Sequence, residues 1–212
     1  MGDIGLATLQ DWLRRTKESV TEQRSYLTEL DSAIGDADHG SNLTRGFAAV
    51  VERLDREPAT TIEGLLKTSG MTLVSTVGGA SGPLYGTLLL RMAKAAGDAD
   101  TMTSDQLAAA LRAGLDGVVA RGKAEFGDKT MIDALTPAVD AFEQAVGSGQ
   151  DPAGAAAAAA SAAAAGRDAT EPLVARKGRA SYLGERSAGH IDPGSASVTL
   201  LLEALAAALS EG

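Results

Sequence analysis

The sequence predicts an all-α protein, an up-and-down bundle or closed barrel of about eight helices in a single domain over residues 1–212. Three observations lead there. Alanine and leucine are abundant, aromatic residues make up only 3% of the chain, and the β-branched runs that mark strands are missing. Apolar residues recur at steps of three and four, as in Val198, Leu201, Leu202, Leu205, Ala208 and Leu209, which is the stripe of one helix. Breakers then divide the chain into helix-length segments with short connections, so neighbouring helices run antiparallel.

Taken in order, the first helix spans 4–32 and carries Leu6, Leu9 and Leu13. Helices over 41–56, 60–76 and 81–97 follow. The fifth, 104–121, is preceded by the capping run Thr103-Ser104-Asp105 and carries Leu107, Leu111, Leu115 and Val118. The sixth, 131–146, opens after Gly127-Asp128-Lys129-Thr130-Met131. Asp151-Pro152 opens the seventh, 151–168, with proline in its first turn; so many alanines predict close packing on a neighbour. The eighth spans 195–210. Between the last two, Thr170 to Gly194 lacks helical periodicity, and a stretch of that length in a compact domain reads as an ordered functional loop.

Charge narrows the function. With 19 Lys+Arg against 28 Asp+Glu the net charge is −9, which argues against a nucleic-acid partner. There is no cysteine, so disulfides, thiolate metal sites and a Cys nucleophile are excluded. Asp3, Asp11 and Arg14 interrupt any apolar leader, Leu6 stands where a myristoylation signal wants Ser or Thr, and the alanine run 155–165 is too short to span a bilayer. The expectation is a cytoplasmic protein with no membrane partner.

The strongest chemical signal is Asp31-Ser-Ala-Ile-Gly-Asp36-Ala-Asp38-His39-Gly40-Ser41-Asn42. Carboxylates at about 4 Å repel by roughly 4 kcal/mol per pair at an effective dielectric near 20. A bound hard cation, Mg²⁺ or Ca²⁺, would offset this. An EF-hand fails, because Gly40 occupies the fifth position from Asp36, Ser41 the required glycine and Phe47 the twelfth. The alternative is a solvated turn in which Asp38 or Ser41 caps the next helix.

Anion-binding signals accompany it. Val77-Gly78-Gly79-Ala80-Ser81-Gly82 exposes helix amides where an anion is favoured. The alternative is a tight turn without a ligand. Gly117 to Ala124 is a near miss for a phosphate loop, with Ala124 replacing Ser or Thr at the end of a helix; no GxGxxG or GxSxG occurs. The basic run Ala175-Arg176-Lys177-Gly178-Arg179-Ala180-Ser181-Tyr182, in an otherwise acidic chain, suits a phosphate-bearing ligand, and arginine there can stabilise charge on a transferring phosphoryl group. The connections after helices one, three, five and seven carry Asp36, Gly79, Gly127 and Arg179. In an up-and-down topology those connections share one end.

The runs IGDADHGSN, GMTLVSTVGGASGPLYGT, RGKAEFGDKTM and ARKGRASYLGERSAGHIDPGSASV closely resemble the nucleotide-binding L subunits of dihydroxyacetone kinases, from the first helix to the last. The resemblance implies an eight-helix antiparallel barrel that holds ADP or ATP at one end through two Mg²⁺ ions. It assigns Asp31, Asp36 and Asp38 to metal, and His39, Ser41, Asn42, Ala80, Ser81, Gly122, Met131, Arg179, Asp192, Pro193 and Gly194 to nucleotide. Arg179 is also the expected catalytic residue. Implied partners are a K subunit that holds dihydroxyacetone on a histidine, an M subunit that recharges ADP from the phosphoenolpyruvate phosphotransferase chain, and a second copy in a homodimer. The alternatives are an ATP-dependent kinase subunit for dihydroxyacetone or a short ketose such as erythrulose, and a non-catalytic nucleotide sensor. Leu43 and Phe126 depart from the usual pattern by apolar exchange only.

Overall fold

The computed structural model describes residues 3–211. Nine α-helices account for most of them: α1 (Leu6–Glu22), α2 (Arg24–Ile34), α3 (His39–Arg56), α4 (Ile62–Thr76), α5 (Ser81–Ala96), α6 (Ser104–Gly122), α7 (Met131–Gly147), α8 (Pro152–Ala169) and α9 (Pro193–Glu211). Around the molecule α1 packs on α3, each helix from α3 onward packs on the next, and α9 returns to α1. The ring closes, so the arrangement is the eight-helix barrel, with α2 as an added segment.

The expected first helix is two. Gln23, with φ −92° and ψ 13°, separates α1 from α2, although hydrogen bonds continue across the break from Gln23 N to Ser19 O and from Leu27 N to Gln23 O. Its expected beginning is also different, since Ile4–Gly5 forms a short strand, β1, paired antiparallel with β2 (Thr101–Met102). Ile62 N donates to Ala99 O on the same connection, tying the start of α4 there too.

Capping fixes several helix starts as the sequence suggested. Thr103 and Gln106 form a reciprocal capping box on α6, and Asp151 accepts from Gly154 N at 2.7 Å ahead of Pro152. Each such cap satisfies amides that a helix leaves without a partner.

The core fills the barrel with Leu9, Trp12, Leu13, Phe47, Leu65 and Phe142. Trp12 Nε1 donates to Leu201 O at 2.9 Å, joining α1 to α9. The alanine-rich α8 packs closely on α7, as expected. A Cβ at Gly166 would overlap the Asp133 carbonyl, so no side chain fits between these backbones. Among the described residues α9 is the helix long and apolar enough to cross a membrane, but most of it is buried in this core.

Candidate functional site

The connections α2–α3, α4–α5, α6–α7 and α8–α9 meet at one end of the barrel and line a cavity of about 620 Å³. Asp31, Asp36, Asp38, His39, Ala80, Ser81, Gly122, Met131, Arg179, Asp192, Pro193 and Gly194 all border it. Ser41 and Asn42 do not. Ser41 Oγ donates to Asp38 O, while Asn42 accepts from Arg45 and packs against the α4–α5 turn at Gly78. They stand behind the wall instead of on it.

Local conformation gathers the three aspartates. Ala37 adopts φ +61°, a left-handed backbone that costs a non-glycine residue about 1–2 kcal/mol. That turn brings one oxygen each of Asp31, Asp36 and Asp38 within 4.8 Å of one another. Asp31, on the last turns of α2, is 92% buried by the 8% exposure it retains, and its Oδ2 accepts from Asp38 N at 2.8 Å and His39 N at 3.1 Å. It therefore supplies the first amides of α3 with acceptors. The Asp38 side chain makes no cap to α3, which removes the solvated-cap alternative for that carboxylate. Gly35 leaves the space that Asp31 needs, because a Cβ there would overlap its carboxylate.

Opposite charge comes from the distant loop. Arg179 Nη2 lies 2.9 Å from Asp36 Oδ2. The loop is not devoid of regular structure, as the sequence suggested; Arg179–Ser187 forms a 3-10 segment that starts at Gly178 and bends at Gly184, both with positive φ. Its three-residue turns escape a search for the α-helical period.

The remaining wall is held by polar contacts behind it. His39 Nε2 lies 2.8 Å from Ser197 Oγ, and its Nδ1 lies 3.2 Å from Ser81 Oγ. Ser197 Oγ also pairs with the Tyr85 hydroxyl at 2.7 Å. Burial pulls the His39 pKa down, against the neighbouring Asp31 and Asp38 charges. Asp192 caps α9 by accepting from Ser195 N at 2.6 Å, and burial pushes its pKa up to about 7. Ala80, at the start of α5, makes no side-chain cap, so that helix keeps its first amides beside the cavity. Ile34, Leu84, Val118 and Ile132 give the cavity apolar surface as well, suited to a flat ring.

Two residues important to this geometry carry no chemical signal in the sequence. Asp133, at the third position of α7, accepts from Gly127 N and Thr130 N and so shapes the α6–α7 turn. Lys129, in that turn with φ +62°, buries its ammonium against the α8–α9 loop. A lysine beside glycine and aspartate reads as a surface residue unless the fold is known.

The family model described as the DAK2 domain matches residues 33–207. The chain belongs to that family. Among DAK2 relatives, it is 47% identical over 201 residues to the protein named PEP-dependent dihydroxyacetone kinase, ADP-binding subunit DhaL, from Escherichia coli (strain K12), covering 95% of this chain and 96% of the relative. It is 44% identical to the subunit of the same description, from kinase 1 of Listeria innocua, over 92% of each chain. It is 34% identical to the L-erythrulose 1-kinase of Mycolicibacterium smegmatis, covering 91% of this chain and 34% of that one. The crystal structure of the dihydroxyacetone kinase from C. freundii in complex with AMP-PNP and Mg²⁺ superposes with a TM-score of 0.73 at 25% identity. That match covers 98% of this chain and 35% of the kinase, so the chain spans about a third of that solved protein.

Proposed function

We propose that this chain is the ADP-binding subunit of a phosphoenolpyruvate-dependent dihydroxyacetone kinase, working as one nucleotide-binding domain in the cytoplasm. The observation that carries the reading is the three-aspartate cluster in contact with Arg179 at the cavity formed by four connections. Identity favours it over the erythrulose reading, since the ADP-binding subunits reach 47% and the erythrulose kinase 34%.

Three clustered carboxylates met by one guanidinium carry excess negative charge that fits a hard divalent ion, and Asp31, Asp36 and Asp38 would hold Mg²⁺, two ions on this reading. Bound there, the metal would neutralise a diphosphate and orient it. The chain's own residues do the rest. Asp31 is fixed by the amides of α3, so its carboxylate needs no rearrangement to act as a ligand. The uncapped start of α5 offers amides to phosphate oxygens, and the apolar lining accepts the base. Arg179 supplies a delocalised charge where the phosphoryl group would leave. Catalysis of this kind is positioning and electrostatic stabilisation, with little covalent work for the protein.

The acceptor, dihydroxyacetone, would sit on a histidine of a K subunit, and an M subunit would recharge the retained ADP. Here His39 is tied to two serines, which makes it a wall of the site and not a substrate carrier. A native mass spectrum of the purified chain should show ADP with metal. Mixed with dihydroxyacetone, a K subunit, an M subunit and phosphoenolpyruvate with its upstream phosphotransferases, the chain should form dihydroxyacetone phosphate. Tight ADP binding without product would favour the nucleotide sensor instead.

A further inference from the structure

We infer that Lys129 is a positioning residue for Arg179: its buried ammonium draws both ends of the α8–α9 loop onto the α6–α7 turn and so sets where the guanidinium stands. The inference rests on the kinase reading above.

Lys129 is 1% exposed and does not line the cavity, so it acts through the loop and not on a ligand. Its Nζ donates to Thr170 O at 2.8 Å, Leu173 O at 3.1 Å and Glu171 O at 3.3 Å, all at the loop's beginning. It also donates to His190 O, at the loop's end. Three protons are thus shared among four carbonyl oxygens, which is how a buried ammonium without a contacting carboxylate is satisfied.

One nearby contact ties the loop to the same turn, and two more close the ends of the loop on each other. Arg176 N donates to Asp128 O at 3.0 Å, Gly189 N to Glu171 O at 2.8 Å, and Asp192 N to Thr170 Oγ1 at 3.0 Å. Between these anchors the 3-10 segment carries Arg179, with glycines at 178 and 184 that would let it swing if the ends were released. Lys129 also holds a left-handed backbone, and such strain persists where the surroundings require it.

The test compares Lys129→Met and Lys129→Ala with the native chain by calorimetric titration with Mg²⁺ and ADP, by turnover in the reconstituted kinase, and by amide hydrogen exchange. Lys129→Met should lower kcat by about tenfold or more, because a substitution away from the chemistry that misplaces a reacting-site charge is costly. The dissociation constant for ADP should change by less than about threefold, since the aspartates and the α5 amides are untouched. The amides of Arg176 and Gly189 should exchange faster. In Lys129→Ala the vacated carbonyls can accept a small cation, so ethylammonium or K⁺ should restore part of kcat while leaving the native chain unaffected. A Lys129→Met variant that keeps kcat within about twofold overturns the inference. So does a parallel loss of kcat and ADP affinity that no cation rescues. If the native chain fails to bind ADP, the kinase reading falls, and exchange at Arg176 and Gly189 still decides whether Lys129 holds the loop.

Discussion

Arg179 and Asp36 meet at 2.9 Å, so a guanidinium from the α8–α9 loop closes on a carboxylate from the α2–α3 turn. Both side chains are substantially exposed, and a pair of that kind contributes little to stability. Its significance lies in bringing an acidic and a basic corner together. Asp36→Asn should therefore not lower the melting temperature of the metal-free, nucleotide-free chain, since it also removes a carboxylate that repels Asp31 and Asp38. The native chain should gain about 2.7 kcal/mol from Mg²⁺ and ADP at a hundred times the dissociation constant. Asp36→Asn should lose most of that gain, as scanning calorimetry with and without ligand would show. Retention of the full shift would remove Asp36 from the ligand set.

Gly35→Ala tests the other side of the cluster. The added Cβ would overlap the Asp31 carboxylate, which accepts the amides of Asp38 and His39. Displacing it leaves buried donors without acceptors, at a cost of about 1–3 kcal/mol. Urea unfolding should show that loss, and Mg²⁺-dependent ADP binding should fall with it. A variant of native stability with native binding would mean that Asp31 can move freely.

Much of this arrangement was visible in the residues themselves. Leu107, Leu111, Leu115 and Val118 mark the buried stripe of α6, and Thr103 marks its start. The order of glycine-rich and charged connections placed Asp36, Gly79, Gly127 and Arg179 at a common end, where the cavity lies. Other features depend on contacts that no local pattern encodes. Glu22-Gln23-Arg24 contains no breaker, so the division between α1 and α2 leaves no mark on the periodicity. The two-residue strands are too short for alternation to register. Ser41 and Asn42 belong to the acidic motif but face other partners, because helical geometry turns successive side chains to different sides. Lys129 became distinguishable only when distant carbonyls surrounded it.

Asp192 gives the fold a specific pH dependence. Burial raises its pKa from 3.8 to about 7; the Ser195 amide bond and Lys129 oppose this, while Asp133 and Asp31 add to it. Between about pH 4 and 7 the folded chain keeps a proton that the unfolded chain has released, so this group's contribution to stability declines as pH rises. Above about pH 7 that contribution is gone. Asp192→Asn can still accept from Ser195 N but cannot titrate. Urea unfolding of the metal-free chain at intervals from pH 5 to pH 8 should show a shallower decline for the variant. Parallel curves would mean that Asp192 titrates near its ordinary value.

Arg179→Ala separates binding from chemistry at the same cavity. The guanidinium reaches the site from an exposed loop, while the three aspartates and the start of α5 are built on other connections. Removing it should leave the ADP dissociation constant within about threefold of native. It should also slightly relax the constraint on Asp36, which loses its ion-pair partner. If Arg179 stabilises charge that develops on the moving phosphoryl group, kcat in the reconstituted kinase should fall by about 10²-fold or more, the usual scale for losing one such donor. Arg179→Lys should recover only part of this, because an ammonium lacks the planar fork that meets two phosphate oxygens together. Equal losses in kcat and ADP affinity would make Arg179 a binding residue without a separate role in transfer.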